Sequence, residues 1–81
     1  MLDEKTRELI AIAASFTANC HPCLDYHVEQ AQRAGANPEE IRAAIAVGKH
    51  VRSGAAGRTD KHAARLVDPV SAETMITPAC A

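Results

Sequence analysis

The sequence predicts an all-α fold, a small helical domain of about four helices that completes its core as an obligate homo-oligomer. Three observations carry this. Of 81 residues, 17 are Ala, the strongest helix former, while Gly and Pro number 4 each. One Phe, one Tyr and no Trp leave too little aromatic bulk for a β-sandwich or an aromatic-stacking nucleic-acid module. Apolar residues recur at helical spacing, and no run alternates long enough to be a strand. The oligomer follows from size. Leu, Ile, Val and Phe together number 15, so one small domain buries few methylenes and must borrow core from identical neighbours.

The first helix is expected from Asp3 to about Thr17. Leu9, Ile12, Ala13 and Phe16 fall at i, i+3, i+4 and i+7, and the acidic residues at its start suit the positive end of the helix dipole. Glu8 lies one turn before Ile12 and about 40° round the wheel from it, which makes it a half-buried acid at the edge of the apolar stripe. Thr17-Ala18-Asn19 breaks the pattern, with Asn19 as expected N-cap of a second helix from Cys20 to about Ala34. Pro22 suits its first turn. Cys20, Cys23, Leu24, His27, Val28 and Ala31 share one face of that helix, so both thiols and the imidazole are expected to point inward. Gly35 supplies a left-handed stop.

Asn37-Pro38-Glu39-Glu40 starts the third helix, with an Asn cap, Pro at the first helical position and a Glu able to close a capping box. Its stripe of Ile41, Ala44, Ile45, Gly48 and Val51 runs to about Arg52. Ser53-Gly54-Ala55-Ala56-Gly57 reads as a small-residue corner, followed by a fourth helix from Thr59 to Val67 capped by Thr59 or Asp60. Beyond Asp68-Pro69 the pattern dissolves, so residues 1–67 form the expected helical domain and 68–81 a tail or swapped arm.

A net charge of -1 removes electrostatic steering toward nucleic acid or anionic membranes as the default. The positive stretch from Lys49 to Arg65 reads as a solvated helix face. No apolar run approaches a membrane span, and Asp3, Glu4 and Glu8 stand where a signal peptide would be basic, so a cytoplasmic location is expected. Three cysteines do not make a disulfide framework. They point to redox or metal chemistry.

That chemistry is expected at Cys20-His21-Pro22-Cys23. A C-x-x-C pair at a helix N-terminus lies within disulfide reach, and the dipole with the unpaired first-turn N–H groups lowers a thiol pKa. By this argument alone Cys20, nearer the N-terminus, is the more exposed and more acidic thiol. His27, one turn after Cys23, is placed to take the Cys23 proton, and Glu8 to orient or charge-balance the imidazole from the neighbouring helix. Three of the same residues, Cys20, Cys23 and His27, with His21 or Cys80 as a fourth, would also suit zinc. Covalent haem attachment requires His directly after the second Cys, and that position is Leu24. His50 and His62 read as surface residues, Tyr26 as an interface residue pointing off the Cys face, and Cys80 as a free thiol in the tail.

The pattern E-x11-C-x-x-C-x-x-x-H, met by Glu8, Cys20, Cys23 and His27 within ELIAIAASFTANCHPCLDYHVEQAQRAGANPEEIRAAIAVG, resembles the alkylhydroperoxidase D-like branch of the carboxymuconolactone decarboxylase family over roughly residues 3–67. The resemblance implies an all-α domain in trimers or hexamers, and a thiol oxidoreductase that reduces peroxides or relays electrons through a reversible disulfide. It makes Cys23 the peroxidatic thiol, activated by His27 in a relay that includes Glu8. Cys20 becomes the resolving partner, here also assigned to exchange with an outside thiol. The family relay often has a His directly before the second Cys; that position is Pro22 here, and the His stands at His21. Such a cycle requires a peroxide or disulfide substrate and an external dithiol reductant protein, and no bound cofactor or resident metal. The competing readings are the family's decarboxylase chemistry, whose branch lacks the paired cysteines, and a non-enzymatic metal-binding or redox-sensing oligomer.

Overall fold

The computed structural model describes residues 1–67, and these are all-α: α1 (Glu4–Thr17), α2 (His21–Arg33) and α3 (Pro38–Val67), with no strand among the described residues. The expected tail, and Cys80 within it, lie outside the described residues. No helix among these is long and apolar enough to cross a membrane. Met1–Lys49 makes one compact unit, and a second begins at His50.

Helix α1 opens on Asp3, whose carboxylate Oδ1 accepts the Thr6 N–H at 2.7 Å. Hydrogen bonds from the Thr6 side chain and backbone hold the Asp3 carboxyl below its ordinary value. The far end of α1 departs from expectation. Asn19 does not cap α2; it takes a left-handed φ of 56° and closes α1 instead. Its N–H donates to the Phe16 carbonyl at 3.1 Å and the Cys20 N–H to the Ser15 carbonyl at 3.0 Å, the paired bonds of a Schellman motif. Asn is the non-Gly residue that best tolerates this backbone. With Asn19 so used, the N-cap of α2 moves one residue on, to Cys20.

The same motif ends α2 as expected. Gly35 sits at φ 95°, its N–H bonded to the Gln32 carbonyl at 3.1 Å, and the Ala36 N–H reaches the Ala31 carbonyl at 2.9 Å. Two residues later the capping box closes reciprocally. The Glu40 N–H donates to Asn37 Oδ1 at 2.8 Å, and the Asn37 N–H to Glu40 Oε1 at 2.9 Å. The bond from Asn37, then the Lys5 ammonium 3.0 Å away, hold the Glu40 carboxyl below its ordinary value.

Helix α3 then runs without the expected corner, so the third and fourth helices of the sequence reading are one element of 30 residues. Gly54 and Gly57 each cost only about 1 kcal/mol relative to Ala in a helix interior. Between Pro38 and Pro69 no proline interrupts the backbone ladder. Thr59, expected as a cap, instead donates its hydroxyl back to the Ala55 carbonyl at 2.9 Å within the helix.

The core of the first unit is thin: Ile12 and Ala31 are fully buried and Ile41 nearly so, with Leu9, Leu24, Val28, Ala36, Ala44 and Ile45 packed around them. Where α1 meets the first turns of α3, Gly48 is buried, and a Cβ there would meet the Ala13 carbonyl oxygen at 2.5 Å and Phe16 Cβ at 3.0 Å. Thr17 stitches this crossing, its hydroxyl 3.0 Å from both the Ala13 and Gly48 carbonyls. The approach places α1 against both other helices and holds Glu8 at a fixed height beside α2.

Candidate active site at the start of the second helix

Cys20 and Cys23 are joined by a disulfide across the first turn of α2, with their Cα atoms 5.3 Å apart. Cys20 is held from two sides: its N–H closes the Schellman motif of α1, and its Sγ caps α2 by accepting the Cys23 N–H at 3.3 Å. Pro22, the second residue of the helix, carries no N–H, so the Cys23 amide is the donor a cap at Cys20 can take. The inward orientation expected for both thiols is not met. Cys20 is half-buried, but Cys23 is exposed, as are His21 and Pro22. The apolar contact on this face begins only at Leu24.

One turn further along, His27 and Glu8 meet. His27 Nδ1 lies 2.7 Å from Glu8 Oε1, with their side chains 29% and 15% exposed, enough shelter for the bond to outlast competition from water. Donation of Nδ1–H to the carboxylate leaves Nε2 of the neutral imidazole bare and able to accept a proton. The pair links residues 19 apart in sequence and ties α1 to α2. His27 stands at i+4 from Cys23, on the same side of the helix.

Tyr26 adds a feature the sequence reading missed. It is 58% exposed, yet its ring stands edge-on to the His27 ring with centroids 5.0 Å apart and planes at 81°. Consecutive helical residues diverge by about 100°, so helical-wheel spacing separates them; only the rotamers bring the rings together. His50 and His62 are exposed and belong to the unit that begins at His50. Among the described residues no group of three or more His, Cys, Asp or Glu stands together as a metal-ligand set.

The arrangement is a dithiol pair in its oxidised form at a helix N-terminus, beside an imidazole whose tautomer a carboxylate fixes. Such a set can exchange two electrons and move one proton. The chain resembles two bacterial proteins. It is 38% identical over 69 residues to "Uncharacterized protein 4 in cox locus" of Paracoccus denitrificans, which covers 85% of this chain and 62% of that one. It is 52% identical over 31 residues to an uncharacterized protein of Haemophilus influenzae, covering 38% of this chain and 27% of that one. The chain therefore spans less than two thirds of the length of either relative. No solved structure gives a significant match. The family model for the carboxymuconolactone decarboxylase family matches residues 1–67, the whole of the described helical region, and the chain belongs to that family.

Proposed function

We propose that the protein is a thiol-dependent oxidoreductase of the alkylhydroperoxidase D-like kind, a peroxidase or disulfide reductase that works through Cys20, Cys23, His27 and Glu8. The observation that carries this reading is the Cys20–Cys23 disulfide one turn before the Glu8–His27 hydrogen bond. In the proposed cycle Nε2 of His27 takes the Cys23 thiol proton, and the resulting thiolate attacks one oxygen of a hydroperoxide. The O–O bond breaks, Cys23 becomes a sulfenic acid, and the leaving alkoxide takes a proton from His27. Cys20 then attacks the sulfenic sulfur, forming the disulfide and releasing water. An external dithiol protein returns two electrons and itself becomes a disulfide. None of the three steps requires a bound cofactor, and re-reduction suits a reducing cytoplasm.

The active form in this reading is a homo-oligomer, a trimer or hexamer. Its support is the thin core together with an uncovered apolar groove of 340 Å³ between α1 and the start of α3, bordered by Leu9, Ile10, Ala44 and Val47. Ile10 and Val47 are each more than half exposed there, a poor arrangement for a lone domain of this size.

The direct test is peroxide consumption with a dithiol as reductant. Wild type is expected to turn over, and Cys23→Ser to fall to the uncatalysed rate. A Cys23→Ser protein that consumes peroxide as fast as wild type would remove Cys23 from the chemistry.

A further inference from the structure

We propose that the disulfide opens from one side only: the external thiolate attacks Cys23 Sγ, and Cys20 leaves as the thiolate. This rests on the thiol-oxidoreductase reading and specifies its reductive half. It reverses the sequence-based expectation that Cys20 exchanges with the outside thiol.

Two independent features of the site point the same way. The first is access. Thiol–disulfide exchange needs the attacking sulfur to approach in line with the S–S bond, from behind the sulfur it attacks. Cys23 is exposed, whereas Cys20 is half-buried, its backbone clasped between the end of α1 and the start of α2.

The second feature is the leaving group. Exchange is faster when the departing sulfur is the better-stabilised anion. Cys20 is the N-cap of α2, and its Sγ already accepts the Cys23 N–H at 3.3 Å, with no competing amide at Pro22. Charge arriving on that sulfur meets the positive end of the helix dipole and a donor that is already in place. Cys23 lies inside the first turn rather than at its cap.

The electrons balance in two steps. In the first, the external S–Cys23 bond forms, the Cys20–Cys23 bond breaks, and the electron pair passes to Cys20. In the second, the other thiolate of the same dithiol attacks the external sulfur, closes a disulfide in the reductant and expels Cys23, which takes its proton from solvent or from His27. One dithiol is oxidised and one disulfide reduced. Cys23 is then the contact sulfur in both half-cycles, meeting the peroxide in one and the reductant in the other, while Cys20 never leaves its cap.

The test uses the full chain carrying Cys80→Ser, so that only the motif cysteines react. The oxidised protein is mixed with glutathione, quenched in acid at a series of early times and alkylated, and the adduct is located by fragment-ion mass spectrometry. Extrapolated to zero time, the glutathione adduct is expected on Cys23 in about tenfold excess over Cys20, the sulfur with the better-stabilised leaving partner being attacked first. An adduct chiefly on Cys20, an even distribution, or a disulfide that glutathione does not open overturns the proposal. Peroxide turnover of the same preparation separates the two claims. An adduct on Cys23 without turnover sinks the peroxidase reading and upholds one-sided opening; turnover with the adduct on Cys20 does the reverse.

Discussion

Helices α2 and α3 both begin within the unit Met1–Lys49, and their first turns perform the same task with different chemistry. At α3, Asn37 and Glu40 exchange two hydrogen bonds of 2.8 and 2.9 Å, and Pro38 occupies the first position. Every group there serves helix stability. At α2, a cysteine sulfur stands where Asn stands in α3, it accepts a single N–H at 3.3 Å, and it is disulfide-bonded to the residue that donates. A sulfur is a weaker acceptor than an amide or hydroxyl oxygen, so the α2 start gives up helix-capping strength. In return it places an electron-accepting atom at the positive end of a helix. The difference teaches that a cap position can be read for stability or for reactivity by its atom type, even when the backbone geometry is the same.

The contrast can be broken most sharply by giving α2 the cap that stability would choose. Cys20→Ser is expected to halt catalytic turnover after one equivalent of peroxide, because the sulfenic acid on Cys23 loses its resolving partner. Compared under reducing conditions, its thermal midpoint should match or exceed that of wild type, since Ser is a better cap than Cys. Lower thermal stability in that comparison would mean the sulfur contributes more to the helix than its geometry suggests.

Next in size is the anchoring of α3. A methyl group at Gly48 would collide with the Ala13 backbone carbonyl, and a helix cannot move that atom as it would a side chain. Gly48→Ala should therefore cost about 1–3 kcal/mol in denaturant unfolding, and an unchanged midpoint would show that the α1–α3 approach is looser than described. Asn37→Ala should cost less, about 1 kcal/mol, and leave peroxide turnover per folded molecule as it is. Together with Cys20→Ser this makes a double dissociation: one start loses stability and keeps activity, the other keeps stability and loses turnover.

The smallest effect is one of pH. Asp3 and Glu40 have carboxyls held below their ordinary values by hydrogen bonds at the starts of α1 and α3. Groups depressed in the folded state favour folding above their ordinary range, and that contribution is lost as pH falls below the ordinary carboxylate range and through their lowered values. The Thr6 and Glu40 amide resonances should move in that window, while the Cys23 amide, which donates to sulfur, should not. A Cys23 amide that titrates alongside them would erase the distinction between the two starts.

Much of this was legible in the sequence because helix starts, stops and faces are local. Asn37-Pro38-Glu39-Glu40 and Gly35 took the conformations their chemistry favours, and the C-x-x-C spacing put two sulfurs within bonding distance. Even Glu8 at the edge of the α1 stripe was readable, since that follows from a single helical wheel. The same locality misled at two helix boundaries. Asn19 suits both the end of one helix and the start of the next, and only the hydrogen bonds of α1 decided which. The Ser53–Gly57 stretch holds residues that weaken a helix without breaking it, and α3 continued through them.

By itself, then, the sequence determined the starts of α1 and α3, the all-α class and the identity of a redox-capable motif, because each depends on residues within a turn or two of one another. The sequence named Glu8 as the partner of His27, and the structure supplied the 2.7 Å contact; tertiary structure alone decided that Cys23 faces solvent while Cys20 is sheltered, and that α1 approaches α3 as closely as Gly48 allows. Those depend on how far one helix slides along another before its side chains interlock. That distance is set by packing between surfaces distant in the chain, which no local pattern encodes.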